Sequence, residues 1–255
     1  MEQKMIDKYK YITLWSNEMN QNHIDSYVEF YKNVFNTEFS AKAFKTKFID
    51  NIYGPSVHVL VYDGEILVAI RSLWRNDLGT TMAYQPCDTA VSSDHRGGGI
   101  FKIMTDEALS FVPNAMIYNY PNENSRKLYL RNGWIISRTM NKNLYTRAGF
   151  DKHCPDESIP DDYVNWYFAK ISSLCVTRRG KYYFLLSPKG RGMYVIIGKV
   201  SKKIYECGVF QKKSFSILFF RSSCESKIKK LNHPTYIVAK GEYDGVIPSW
   251  KVDAV

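Results

Sequence analysis

Residues 91–104 read VSSDHRGGGIFKIM, with three consecutive glycines where an apolar strand gives way to a helix. A glycine costs about 1 kcal/mol relative to alanine inside a helix, so three together need a reason. A helix N-terminus offers free N–H donors, and glycines leave those donors uncovered. Arg96 adds a side chain suited to charge-assisted bonds with phosphate. The stretch therefore predicts a diphosphate cradle, and the alternative is a glycine turn that only reverses the chain.

Two other phosphate-binding loops are excluded by their spacing. The chain has no G-x-x-x-x-G-K-[ST], the pattern of P-loop nucleoside triphosphatases. It also lacks a full G-x-G-x-x-G followed by a ribose-binding acid, the pattern of dinucleotide folds.

The periodicity around the glycines predicts an α/β unit with a mixed sheet. Asp63-Gly64, between two apolar runs, predicts a hairpin, and Pro86 predicts an edge or bulge in the third strand. The predicted order is a helix over 22–36, a helix over 41–50 capped by Ser40, three strands up to residue 91, a helix from 100, a strand over 115–120, a helix closed by Gly133, and a strand over 134–145.

The remainder of the chain predicts a smaller, β-rich part. Residues 149–162 are polar, carry two prolines and predict a linker between a domain at 1–148 and an accessory domain at 163–255. In the accessory domain we expect a helix over 162–172, strands over 182–187, 193–200, 204–210 and 215–220, a basic helix over 223–231 and a strand over 235–240.

Bulk properties narrow the class of protein. The net charge of +10 favours an anionic partner such as a nucleotide, a phosphorylated cofactor, nucleic acid or an anionic lipid. The five cysteines are scattered without a C-x-x-C pair, which argues against a zinc site or a disulfide framework. No apolar run reaches the ~20 residues of a membrane span. We expect a cytoplasmic protein that needs no metal.

The glycine stretch resembles the acetyl-CoA-binding motif of the GCN5-related N-acetyltransferases, V-x-x-x-x-[RQ]-x-x-G-x-[GA]. Val91, Arg96 and Gly99 fall in register, whereas Phe101 replaces the final glycine or alanine. Downstream, NENSRKLYLRNGW is similar to the N-x-x-A-x-x-L-Y-x-K-x-G-F motif of the same family, with Ser125 in place of alanine. The resemblance covers roughly residues 10–145. A weaker likeness, in CDTAV and YNYPNENS, is to bacterial enzymes associated with surface-polysaccharide or amino-sugar modification.

The resemblance implies the family's fold, a twisted and mostly antiparallel mixed sheet flanked by helices. The C-terminal part would then be a degenerate half of the same fold, without a cofactor site of its own. The family's fourth strand diverges from the fifth, and the pantetheine arm of acetyl-CoA lies in the gap. The implied cofactor-binding residues are Thr89, Ala90, Val91, Arg96, Gly97, Gly98, Gly99, Ile100, Phe101, Asn122 and Ser125.

The implied chemistry is direct attack of an amine on the thioester. Tyr129 would protonate the coenzyme A thiolate, and a strand N–H near Val91 would polarise the carbonyl. Asp88 is the candidate for the general base, acting through water, although it could equally cap the irregularity at Pro86. The candidates for the acceptor pocket are Tyr84, Tyr118, Asn119 and Tyr120. Ile117 stands where peptide N-terminal acetyltransferases often carry glutamate, which argues against a peptide N-terminus as the acceptor.

Three classes of function stay open on the sequence. The leading hypothesis is transfer of an acetyl group from acetyl-CoA to a small amine, such as an amino sugar or its nucleotide-linked form. The second is an aminoacyl-tRNA-dependent transferase, in which the phosphate cradle would have no role. The third is a non-catalytic module that binds acyl-CoA or nucleic acid. We expect no nucleic-acid partner for the leading function, and homo-oligomerisation is left open.

Overall fold

The computed structural model describes residues 8–145, 158–190, 192–214, 217–222 and 234–251. These residues form two compact units. The first runs to Asn119 and includes Gly241–Tyr243, and the second takes Tyr120–Lys240 and the residues from Asp244 onward. The predicted linker over 149–162 lies mostly outside the described residues, so the domain division at residue 148 stays a prediction.

The first unit is a five-stranded sheet in the order β1-β2-β3-β4-β5. The strands β1 to β4 pair antiparallel, and β5 joins β4 in parallel. The bounds are β1 (Lys10–Trp15), α1 (Gln21–Phe35), α2 (Ala41–Phe44) continued by a π-helical turn (Lys45–Ile49), β2 (Val57–Asp63), β3 (Ile66–Arg75), β4 (Ala83–Val91), α3 (Ile100–Ser110) and β5 (Met116–Asn119). The predicted mixed and mostly antiparallel sheet with flanking helices is confirmed.

Local sequence signals account for most of these bounds. The side chain of Ser40 accepts a hydrogen bond from the Ala43 amide and caps α2, as predicted. The hairpin is confirmed, with Asp63 paired to Ile66, so that Gly64 and Glu65 form the two-residue loop. The strand β1 was missed, because its charged flanks concealed the short apolar run.

The irregularity in β4 lies two residues later than predicted. Pro86 pairs regularly with Leu73, whereas Asp88 and Thr89 together stand opposite the single residue Arg71. Pro86 lacks an N–H, yet it fits because the pairing of β4 with β5 ends at Tyr84. Of the two alternatives predicted at Pro86, the edge is confirmed and the bulge is wrong, because the bulge lies at Asp88–Thr89.

The second unit is a sheet in the order β12-β6-β11-β9-β8-β7-β10. Its elements are α4 (Glu123–Arg131), β6 (Ile135–Tyr145), α5 (Asp161–Trp166), β7 (Cys175–Arg179), β8 (Tyr182–Pro188), β9 (Met193–Val200), α6 (Lys202–Glu206), β10 (Gln211–Lys212), β11 (Ile217–Ser222) and β12 (Thr235–Lys240). Its core includes Phe184, Leu186, Ile196 and Leu218, all buried.

One predicted strand of the second unit is a helix. The run over 204–210 was predicted as β, but α6 occupies its first part. Ser201 accepts a hydrogen bond from the Ile204 amide as an N-cap, and Lys202 pairs with Glu206 one turn later. These local helix signals outweigh the short apolar run. The strand β7 was missed, and the predicted basic helix over 223–231 lies outside the described residues.

Gly241 returns the chain to the first unit at a point where a Cβ would stand tight against backbone atoms. Its φ is +98°, and an added Cβ would stand 3.1 Å from the Ala115 carbonyl oxygen and 3.3 Å from the Met116 Cα. We expect Gly241→Ala to lower the free energy of unfolding by about 2–3 kcal/mol, measured by urea denaturation. The matched control is Gly64→Ala, at φ +60° with open space around its Cβ position. Equal losses for both variants would contradict a close approach at Gly241.

Candidate functional site

The predicted cradle lies between the end of β4 and the start of α3. Ser93–His95 form a short 3-10 turn, and Gly97 and Gly99 adopt positive φ angles of 80° and 76°. Gly99 is the N-cap of α3, so no side chain covers the amides of its first turn. The backbone amide of Lys102 donates to the Gly99 carbonyl at 3.0 Å and closes that turn. The local geometry is therefore suited to an anion.

A cleft of about 420 Å³ opens beside this turn. Its lining is drawn wholly from the first unit: Val34, Phe35, Thr89, Ala90, Val91, Arg96 and Phe101. Five of these residues are predicted cofactor-binding residues. The contribution of Val34 and Phe35, at the end of α1, to the cleft was not predicted. Their spacing indicates only the apolar face of a helix.

The strand β4 leaves one backbone edge beside the cleft without a partner in β5. Its pairing with β5 covers Ala83 and Tyr84 alone, so the predicted divergence of the two strands is confirmed. On the other side, the Ser92 amide bonds to the Val68 carbonyl of β3 at 2.9 Å. Since successive residues of a strand direct their backbone groups to alternate sides, the N–H and C=O of Val91 face the open edge. The Arg96 Nε donates to that carbonyl at 3.0 Å.

Phe101, the departure from the family motif, contacts a buried cation. Its ring centroid lies 5.0 Å from the guanidinium carbon of Arg71, which is fully buried in β3. This cation–π contact fixes the ring at the first turn of α3. The larger side chain therefore lines the cleft at a position where the motif has glycine or alanine.

Asp88 lies at the bulge with both carboxylate oxygens engaged. Lys47 Nζ stands 3.2 Å and 3.3 Å from the two oxygens, and the Tyr27 hydroxyl donates to Oδ2 at 3.1 Å. The side chains of Lys47 and Asp88 are only 14% and 9% exposed. The predicted role of Asp88 as a general base stays a prediction.

The hydrogen bonds continue from Asp88 into the core. The Tyr27 oxygen lies 2.8 Å from Ser72 Oγ, and Ser72 Oγ lies 2.9 Å from His58 Nδ1. Because Tyr27 donates its one proton to Asp88, Ser72 must donate to Tyr27, and His58 must donate from Nδ1. Among the described residues, His58 Nε2 has no hydrogen-bond partner. The rings of Tyr27, Phe44 and Phe48 surround it.

Two pKa shifts follow from this burial. Burial, with a smaller contribution from the nearby Lys47 charge, lowers the pKa of His58 to about 3. Burial and the Asp88 charge raise the pKa of Tyr27 well above its usual value of 10. His58 is therefore neutral and Tyr27 protonated at neutral pH.

The predicted acceptor residues are mostly buried. Tyr84 and Tyr118 lie in the core of the first unit, and the Tyr118 hydroxyl donates to the Asn76 carbonyl at 2.9 Å. Asn119 ends β5 and is half-buried. In the second unit, the Tyr120 hydroxyl donates to the Pro248 carbonyl. Their assignment to an acceptor pocket stays a prediction.

The remaining predicted site residues lie on α4 in the second unit. Asn122 caps this helix and accepts from both the amide and the hydroxyl of Ser125 at 2.9 Å. Tyr129 is buried, with its ring centroid 4.6 Å from that of Trp134. The helix ends at Arg131, and Gly133 follows its C-cap residue Asn132 with a φ of 78°, as predicted for a closing glycine. The Trp134 amide donates to the Tyr129 carbonyl. The predicted roles of Asn122, Ser125 and Tyr129 stay predictions.

Two solved structures show the same fold over most of the chain. A conserved protein of unknown function from Enterococcus faecalis V583, described as a probable N-acyltransferase, aligns with 90% of this chain and 72% of its own, at 11% identity and a TM-score of 0.58. A GCN5-related N-acetyltransferase from Kribbella flavida aligns with 91% of this chain and 71% of its own, at 10% identity and a TM-score of 0.53. The chain has the fold of the GCN5-related N-acetyltransferases.

Neither a protein-family model nor a curated protein matches the sequence. The GCN5-related fold therefore rests on architecture, as expected at identities of 10–11%. Within the described residues, no group of three or more His, Cys, Asp or Glu side chains is arranged to hold a metal ion. In the same part of the chain, no helix is both long and apolar enough to cross a bilayer.

Proposed function

We propose that the protein transfers an acetyl group from acetyl-CoA to an amine, with the cleft beside β4 as the acetyl-CoA site. The observation that carries the proposal is the open backbone edge of β4, which leads directly into the uncovered amides at the start of α3. An edge followed by an anion site suits a ligand that is an extended amide chain ending in a diphosphate.

Each part of the cleft has a role in this proposal. The amides of Gly97 to Phe101 would bind the diphosphate, and the exposed guanidinium of Arg96 would add charge-assisted bonds. The Val91 N–H would donate to the pantetheine arm or to the thioester carbonyl, where it would stabilise developing negative charge. Val34 and Phe35 would supply apolar contact along the arm.

The proposed reaction is direct transfer of the acetyl group from the thioester to the amine. A neutral amine attacks the thioester carbonyl and forms the N–C bond, and the nitrogen of the tetrahedral intermediate loses a proton to solvent. The C–S bond then breaks, and coenzyme A leaves as a thiolate that takes up a proton. Tyr129 is the proton donor that the motif predicts. For the acceptor we propose a small molecule, with amino sugars and nucleotide-linked amino sugars foremost. The charge of +10 suits the nucleotide-linked form, which is anionic.

The direct test is release of free coenzyme A thiol from acetyl-CoA in the presence of separate amine acceptors. The panel should hold amino sugars, nucleotide-linked amino sugars, polyamines and short peptides. We expect release above the no-acceptor rate with at least one sugar amine, and acetylation of that acceptor by mass spectrometry. Release with peptides alone would refute the proposed acceptor. Calorimetry that detects no binding of coenzyme A would refute the proposed function.

A further inference from the structure

Asp88 has a backbone conformation that is rare for a residue other than glycine. Its φ is +47°. Among the described residues other than glycine, only Asp88 and Asn36 have a positive φ. Aspartate tolerates this region better than most residues, but the conformation remains strained and needs support from its surroundings. The support is visible in the side-chain contacts of Asp88.

The supporting contacts join three separate elements. Lys47 belongs to the π-helical turn, Tyr27 to α1 and Asp88 to β4. We call Lys47, Asp88 and Tyr27 the Asp88 cluster. Tyr27 is itself held by Ser72 on β3, which bonds to His58 on β2. The cluster therefore ties the bulge to a rigid part of the core.

The bulge decides which face of β4 each cleft residue occupies. Cys87 pairs with Ser72, and Ala90 pairs with Ile70, so β4 has one residue more than β3 between these pairs. Side chains alternate between faces along a strand, and a slip of one residue moves each of them to the opposite face. Without the bulge, Thr89, Ala90 and Val91 would thus present different groups to the cleft.

The same contacts argue against Asp88 as a base. A general base must come within hydrogen-bond distance of the proton that it removes. Both oxygens of Asp88 already accept hydrogen bonds from Lys47 and Tyr27, and the side chain is only 9% exposed. With so little of the carboxylate exposed, an amine or a bridging water has little access to it.

We propose that the Asp88 cluster holds the β4 bulge in the register that forms the acetyl-CoA cleft, and that Asp88 is a positioning residue. This inference rests on the proposed function for the identity of the ligand. The role of the Asp88 cluster in holding the bulge can be measured in the protein without ligand. The inference and the proposed function can therefore fail separately.

The test uses Lys47→Met, Lys47→Arg and a matched control, Arg75→Met. Arg75 pairs with Asp77 at the end of β3, and their side chains are 19% and 14% exposed, close to the values of the Lys47–Asp88 pair. The measurements are the Kd for coenzyme A by calorimetry and amide hydrogen exchange over residues 87–91 without ligand. The full chain is used throughout.

We expect Lys47→Met to raise the Kd for coenzyme A at least tenfold and to speed exchange over 87–91. Lys47→Arg should retain most of the affinity for coenzyme A and most of the protection from exchange. Arg75→Met should change neither the Kd nor the exchange rate. An unchanged Kd and an unchanged exchange rate in Lys47→Met would overturn the inference. Equal effects of Lys47→Met and Arg75→Met would overturn it as well, because they would show general loss of stability.

The exchange measurement separates this inference from the proposed function. If the wild-type protein does not bind coenzyme A, the proposed function fails, and faster exchange in Lys47→Met alone still supports the role of the cluster. If the wild type binds coenzyme A and exchange is the same in all variants, the inference fails while the function stands.

Discussion

Replacing Gly99 by valine is expected to weaken binding of coenzyme A at least tenfold. Gly99 has φ +76° at the N-cap of α3. A non-glycine residue there costs about 1–2 kcal/mol, and a β-branched one costs more, so the turn will relax and move its amides. Each 1.4 kcal/mol lost from binding is a factor of ten in Kd. The measurement is calorimetric titration with coenzyme A.

Gly79→Val is the matched control for this prediction. Gly79 has φ +61° in the loop between β3 and β4 and does not line the cleft. It should lower thermal stability about as much as Gly99→Val but leave the Kd unchanged. A Gly99→Val protein that melts like the control and binds coenzyme A like the wild type would show that the glycines serve only to turn the chain.

The second large effect is a loss of stability in acid that depends on His58. Burial holds its pKa at about 3, against an ordinary value of 6.5. Below pH 6.5 the unfolded chain binds a proton that the folded chain does not, so stability falls as the pH drops toward 3. The loss is about 1.4 kcal/mol per pH unit, or about 2 kcal/mol between pH 7 and pH 5.

The comparison variant is His58→Asn, whose amide can still donate to Ser72. Between pH 7 and pH 5, the free energy of unfolding should fall by about 2 kcal/mol more in the wild type than in this variant. Urea denaturation at the two pH values measures both. In the wild type, the NMR signals of the His58 ring should not titrate above pH 5. Equal pH dependence of the two proteins would contradict a neutral, buried His58.

The sequence predicted the elements that carry strong local signals. Ser40 and Gly133 mark helix ends, the Asp63-Gly64 pair marks the hairpin, and VSSDHRGGGIFKIM marks the turn from β4 to α3. Each of these features depends on a few neighbouring residues. For that reason, each could be read without knowledge of the tertiary contacts.

The parts that the sequence did not predict depend on contacts between distant residues. The bulge at Asp88 is supported by Lys47 and Tyr27, which come 41 and 61 residues earlier. The contribution of Val34 and Phe35 to the cleft depends on where α1 lies over the sheet. The pattern at 204–210 is a different case, since it suits either a strand or a helix and was decided by local signals that the prediction did not weigh, the Ser201 cap and the Lys202–Glu206 pair.

The passage of the chain through Gly241 has a consequence for synthesis of the protein. Residues up to Asn119 leave the ribosome well before Gly241–Tyr243, which complete the same compact unit. Contacts between such distant segments form late, since the intervening chain must be closed into a loop first. The nascent chain therefore holds all five strands of the N-terminal sheet well before the unit is complete, and a fragment ending at Asn119 would leave exposed the surface that Gly241–Tyr243 contact.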